Sequence, residues 1–183
     1  MRPSLPPPSR RGGAPYRIAV VCLGNICRSP MADVVLNDRL ERAGLADAIE
    51  VVSAGTGGWH VGGPMDDRAA ALLTERGYDA TRHRARQFGA GWFDDCDLVL
   101  AMDGDNLADL VAMHPGTADE RLRMFRDFDP LADRTDDRDV PDPYFGGADG
   151  FADVLATIER TADGLVEALA EAVRQPTGST DAG

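Results

Sequence analysis

Val20-Val21-Cys22-Leu23-Gly24-Asn25-Ile26-Cys27-Arg28-Ser29-Pro30-Met31 is the stretch whose reading decides the fold. Ahead of it, Arg17-Ile18-Ala19-Val20-Val21 is a short apolar run that predicts a strand. Behind it, a helical spacing of apolar residues begins at Pro30 and Met31. Cys22 and Arg28 therefore bound a Cys-x5-Arg-Ser loop at a strand-to-helix turn. Gly24 and Asn25 tolerate the positive φ that a tight loop needs. Such a loop can turn successive backbone N–H groups inward, and the following helix adds the positive end of its dipole. The result is a cradle for a phosphate dianion.

The side chains suit the same purpose. A cysteine attacks as thiolate, and helix N-termini and nearby cations favour that form. Arg28 offers a planar fork that grips two phosphate oxygens, which lysine does not. Ser29 can hydrogen-bond the Cys22 sulfur or cap the helix that starts at Pro30, and the sequence leaves both open. Leu23, Gly24, Asn25, Ile26 and Cys27 complete the loop as candidate phosphate-binding residues. A small buried cysteine ending a strand, near an ordinary surface arginine, is the bland alternative. The strand before, the Gly-Asn within and the Ser-Pro after all weigh against it.

A length of 183 residues, 43% apolar and 27% charged, fits one globular domain with a full core. Net charge is −12, from 31 acidic and 19 basic residues, and every basic residue is arginine. An acidic chain argues against nucleic acid as a partner and requires an anion site to be locally positive. No stretch is long enough to span a membrane, and residues 1–8 lack the apolar core of a signal peptide. A cytoplasmic protein with no membrane partner is the expectation, with export by another route left open. Three cysteines at uneven spacing argue against a disulfide framework or a zinc site, so no metal is expected.

Residues 1–15, rich in Pro, Ser, Gly and Arg, read as a disordered leader. Residues 16–174 read as the domain and 175–183 as a disordered tail. Within the domain the patterning predicts strands at 16–22, 49–54, 97–102 and 122–125. It predicts helices at 30–43, 66–76, 104–113 and 150–174, a short helical piece near 83–88, and an Asp-rich loop at 127–147. Alternating strands and helices predict a single α/β, Rossmann-like domain: a parallel sheet with helices on both faces. Ligands in such sheets bind beyond the carboxyl ends of the strands, where the Cys22 loop emerges.

A thiolate that displaces an oxygen leaving group from a phosphate ester is helped by one carboxylic acid placed to protonate that oxygen. Composition leaves Asp142 in competition with Asp127, Asp129, Asp133, Asp136, Asp137 and Asp139, although only Asp142 is followed by a proline and an aromatic residue. Crowded carboxylates are expected to raise one another's pKa and help keep the acid protonated. Trp59, set among Gly57, Gly58, Gly62 and Gly63, is a candidate for the rim of the site, as is Tyr144. Phe145 divides evenly between rim and core. Cys96 reads as core, Arg86 as a solvated helix charge, and His60 and His114 receive no role.

Ser53-Ala54-Gly55-Thr56, Trp59-His60-Val61-Gly62, His83-Arg84-Ala85-Arg86-Gln87 and Asp142-Pro143-Tyr144 follow the loop. In that order and spacing, the chain resembles the low-molecular-weight protein tyrosine phosphatase family, bacterial type, over about Tyr16 to Arg174. The resemblance implies four parallel strands in the order 2-1-3-4, with the phosphate-binding loop after the first. It implies Cys22 as nucleophile, Arg28 as phosphate clamp and Asp142 as general acid and then base. Ser53 and His83 would support a loop whose shape Asn25 holds. Trp59, Tyr144 and Phe145 would receive phosphotyrosine-containing proteins, with inorganic phosphate as product and no cofactor. The resemblance also implies that oxidised Cys22 is captured by Cys27 as a reversible disulfide. The family often has a second Tyr where Phe145 stands, which puts regulation through that position in doubt. A monomer is the default.

Three rival readings are weighed against these residues. Arsenate reductase, which shares the fold and loop, needs a further closely spaced cysteine pair, and only Cys96 lies outside the loop. Phosphoarginine phosphatases resemble the chain but usually carry Thr where Ile26 stands, and a bulky apolar Ile26 favours an aromatic ring over a guanidinium. A catalytically silent phosphopeptide-binding module has no use for an intact Cys22, Arg28 and Asp142.

Overall fold

The computed structural model describes residues 3–8, 13–114, 116 and 120–175. Its elements follow in the order β1 (Tyr16–Cys22), α1 (Arg28–Arg42), β2 (Ile49–Gly55), α2 (Asp67–Glu75), α3 (Trp92–Asp95), β3 (Leu98–Ala101), α4 (Gly104–Met113), β4 (Leu122–Met124) and α5 (Ala148–Arg174). The strands form one parallel four-stranded sheet in the order β2-β1-β3-β4.

β1 organises both layers. Successive strand side chains point to opposite faces. Ile18 and Val20 therefore enter one core with Met31, Val35 and Leu36 of α1 and Leu155, Ile158 and Leu165 of α5. Ala19 and Val21 enter the other, with Phe88, Phe93, Val99 and Leu110. A strand covered on both faces is a continuous apolar run, which is why it stands out in the sequence. At its carboxyl end Cys22 pairs with Gly55 of β2, while Val21 pairs with Ala101 of β3. The chain after Cys22 thus emerges in a crevice between two neighbouring strand ends.

Several expectations need correction. The segment 83–88 is extended rather than helical. Its Arg86 carbonyl accepts from Gly55 N–H at 2.8 Å, Phe88 N–H donates to the Gly55 carbonyl at 2.7 Å, and Gln87 bridges in parallel to Gly55. Backbone groups engaged in this way cannot close helical turns. The loop 127–147 is partly organised, with 3-10 turns at Phe125–Phe128 and Ala132–Arg134, and α3 was not expected at all. Residues 3–8 of the leader are not structureless. Leu5 packs against the larger core, Pro6 is buried, and the Tyr16 hydroxyl donates to the Pro6 carbonyl at 3.0 Å. A proline-rich chain has no internal hydrogen bonds, so its carbonyls are available to such donors. Of the tail, only Gln175 lies within the described residues.

Candidate active site

The loop between β1 and α1 is held by its carbonyls. Cys22 O accepts from Thr56 N–H at 2.9 Å, Leu23 O from Gly57 N–H at 2.9 Å, Ile26 O from Asp66 N–H at 2.9 Å and Cys27 O from Met31 N–H at 3.1 Å. The Asn25 carbonyl takes His83 Nε2 at 2.7 Å. With the carbonyls turned outward, the amides from Leu23 to Cys27 have no protein acceptor among the described residues. The first turn of α1 adds further unpaired N–H groups. β2 approaches so closely that a Cβ at Gly55 would stand 2.6 Å from Leu23 O, so only glycine fits there.

Asn25 is the pivot. It is fully buried, and it is the one non-glycine residue with positive φ (55°) among the described residues. Its amide donates to Ser29 Oγ at 2.8 Å and Ser53 Oγ at 3.1 Å, and its Oδ1 accepts from Arg86 N–H at 2.8 Å. His83 must carry its proton on Nε2 to meet the Asn25 carbonyl. Burial lowers the pKa of His83, which favours that neutral form.

Cys22 and Ser29 are brought together, with Sγ 2.9 Å from Oγ. Ser29 lies inside the first turn of α1, which starts two residues before the expected Pro30, so its hydroxyl serves the sulfur rather than capping the helix. Arg28 is buried, and its guanidinium donates to Asp103, to the Val140 carbonyl at 3.1 Å and to Asp142 at 3.4 Å. Burial works against the Arg28 charge, but Cys22, Asp103 and Asp142 outweigh it and raise its pKa.

A cavity of about 170 Å³ joins these groups. It is lined by Cys22, Leu23, Gly24, Ile26, Cys27 and Arg28 from the loop, and by Trp59, His60, Asp142, Tyr144 and Phe145 around the mouth. Trp59 is 73% exposed and Phe145 94% exposed, so both rings belong to the rim. Trp59 lies over Gly57, where a Cβ would meet its ring at 1.8 Å. Phe145 stacks edge-on to Tyr144 with centroids 4.9 Å apart. Cys27 is buried, and that burial pushes its thiol up to about 12. Cys96 is core.

The crowded aspartates do not chiefly face one another. Asp129 accepts from Arg160 at 2.7 and 2.8 Å and from Arg126 at 3.3 Å; burial opposes its charge, but Arg160 leads the bonds that bring its pKa down to about 2. Asp137 and Asp127 pair with Arg126 and Arg138. The expectation of mutual raising overlooked Arg126 and Arg138 beside these aspartates and Arg160 on α5.

Sequence reading missed several neighbours of the site. His60 lines the cavity. Asp103 holds Arg28 while accepting Asn106 N–H at the start of α4. Arg86 is no helix charge: its N–H serves Asn25 and its guanidinium lies 5.2 Å from the Trp92 ring centroid. The bonds of Asp103 to Arg28 and of Arg86 to Asn25 cross the fold and leave no local signal. A larger groove of about 580 Å³, lined by Asp33, Asn37, Tyr78 and His83 among others, contains none of Cys22, Arg28 or Asp142.

An amide-lined anion loop with a thiol at its base, beyond the end of the central strand of a doubly wound sheet, defines a protein built to hold a tetrahedral oxyanion against sulfur. The family model for low molecular weight phosphotyrosine protein phosphatases matches residues 17–175, and the chain belongs to that family of enzymes. It is 47% identical over 159 residues to a low molecular weight protein-tyrosine-phosphatase of Streptomyces coelicolor, covering 86% of this chain and 96% of that one. It is 44% identical over 151 residues to low molecular weight protein-tyrosine phosphatase A of Mycobacterium tuberculosis, covering 82% and 90%. The crystal structure of YfkJ from Bacillus subtilis superposes with a TM-score of 0.81 at 32% identity, covering 90% of this chain and all of that one.

Proposed function

We propose that the protein hydrolyses phosphotyrosine in proteins, and small aryl phosphates, in two displacement steps. The observation that carries this reading is the position of Cys22 at the base of a cavity that Arg28 and Asp142 both line. The Cys22 thiolate attacks phosphorus as the bond to the aryl oxygen breaks, and Asp142 gives that oxygen its proton. Loop amides and Arg28 hold the three remaining oxygens and stabilise the developing charge. Water then attacks the cysteinyl phosphate. Asp142 takes its proton, the S–P bond breaks, and inorganic phosphate leaves.

Asn25, Ser53 and His83 keep the amides aimed, and Trp59, Tyr144 and Phe145 receive the ring. Ile26 at the wall supports an aromatic substrate over phosphoarginine. A monomer acting in cytoplasmic signalling belongs to the same proposal. Turnover of phosphotyrosine, phosphoserine and phosphoarginine peptides, with arsenate reduction alongside, tests it. Phosphotyrosine should be cleaved fastest and Cys22→Ser should cleave none. Faster phosphoarginine turnover, or binding without turnover by the wild type, would overturn it.

A further inference from the structure

We propose that Arg68 is a positioning residue that holds the Asp142 loop against the phosphate loop, an inference that rests on Asp142 being the general acid. Asp142 lies in a stretch without regular secondary structure, so something else must fix it. On its N-terminal side the anchor is Val140, whose N–H donates to Met102 O at 2.7 Å and whose carbonyl receives Arg28. On its C-terminal side the anchor is Arg68. Its guanidinium donates to Tyr144 O at 2.9 Å and to Gly146 O at 3.3 Å, with its carbon 4.7 Å from the Phe151 ring centroid and 5.6 Å from that of Tyr144. Tyr144 N–H in turn donates to Asp142 Oδ1 at 3.1 Å.

The far end of Arg68 is fixed as well. Asp66 caps α2, accepting Arg68 N–H at 2.9 Å and the guanidinium at 3.1 Å on each oxygen. The backbone N–H of Asp66 donates to Ile26 O in the phosphate loop. A continuous chain of hydrogen bonds thus runs from Ile26 through Asp66 and Arg68 to Tyr144 and Asp142. A planar fork with several donors satisfies two carbonyls and a carboxylate together, which a single ammonium does less well. At 42% side-chain exposure, Arg68 would otherwise pass for a solvated surface charge.

The test uses Arg68→Met, which keeps the stem over Phe151, with Arg68→Ala as a second variant. Both are compared with wild type for kcat/KM on phenyl phosphate, whose leaving group needs an acid, and on 2,4-dinitrophenyl phosphate, whose leaving group does not. Phenyl phosphate turnover should fall about tenfold or more, since misplacing a catalytic group by an ångström costs up to ~100-fold. The dinitrophenyl ester and inhibition by inorganic phosphate should stay within about twofold. In an Asp142→Asn background Arg68→Met should cause no further loss. Equal losses on both esters, weakened phosphate inhibition, no loss on phenyl phosphate, or additive losses with Asp142→Asn would overturn the assignment. A wild type that cleaves neither ester would instead sink the phosphatase reading.

Discussion

The Cys22 sulfur sits 2.9 Å from the Ser29 hydroxyl, whose oxygen already receives the Asn25 amide at 2.8 Å. The hydroxyl has one proton, and the alternative acceptor, Ala54 O, is farther away at 3.3 Å. A thiolate only accepts, so whenever Cys22 carries its charge the Ser29 proton turns to the sulfur. In the second chemical step the sulfur must leave as thiolate, so Ser29→Ala should slow breakdown of the cysteinyl phosphate. A hydrogen bond to a charged group is worth about 1.5–3 kcal/mol, or roughly 10- to 100-fold. Rapid-quench experiments should show the intermediate accumulating; a steady-state level no higher than wild type would contradict this role.

Asn25 separates backbone from side-chain requirements. Asn25→Ala should be destabilised by about 2–4 kcal/mol, through left-handed strain and the loss of bonds to buried partners. Asn25→Gly removes the strain and should regain about 1 kcal/mol. Neither should recover phosphate affinity, because Ser29, Ser53 and Arg86 N–H lose their partner in both. Urea unfolding and phosphate inhibition measured on the two variants check this.

Asp33 predicts a pH dependence of stability. Burial pushes its carboxyl up to about 6, and bonds from Ser53 and Asn37 with the Arg86 charge offset this only in part. Its folded pKa exceeds its unfolded one, so the folded state loses relative stability as pH rises from about 4 through 6. Asp33→Asn should therefore be more stable than wild type at pH 7.5, by about 1–3 kcal/mol, and equal to it near pH 4. Chemical denaturation at both values would reveal the crossover; a pH-independent difference would contradict it.

The thiols should be distinguishable. With Cys27 pushed up to about 12, it is protonated at neutral pH and should resist iodoacetate while Cys22 reacts. After peroxide, a Cys22 sulfenic acid and the Cys27 thiol can condense to a disulfide and water. Dithiothreitol should then restore activity in wild type and much less in Cys27→Ser. Equal recovery would remove Cys27 from any protective role.

Asp129 anchors the start of the acid loop on α5 through Arg160. Arg160→Met leaves its buried carboxylate with Arg126 and the Leu131 N–H, and should cost about 2–3 kcal/mol, below the usual figure for an orphaned buried charge because those two donors remain. The Asp129 pKa is depressed, so this contribution is present above about pH 4 and lost as pH falls towards 2. Thermal unfolding of the variant near neutral pH and again near pH 3 checks both points.

Read from the residues alone, the sequence disclosed what lies close along the chain, while the distant Ser53, His83 and Asp142 were assigned through the family resemblance. The apolar run 18–21, the loop 22–29 and the alternation of elements are local patterns, and so were readable. The partners that shape the site are not local. Asn25 meets Arg86 across 61 positions and Arg28 meets Asp103 across 75. Segment 83–88 misled for a related reason: its backbone is claimed by Gly55 and Asn25, and that tertiary demand overrides a helical spacing. The aspartates misled because their arginine partners were counted as bulk charge rather than as neighbours.

The Asn25 amide has one further consequence, for the order of assembly. It is completed only when Ser53 and Arg86 have arrived from distant parts of the chain. Contacts of long sequence separation form late, once their loop-closure entropy has been met. The cradle should accordingly be among the last features to set during refolding, so that chains already compact and helical are still blind to phosphate.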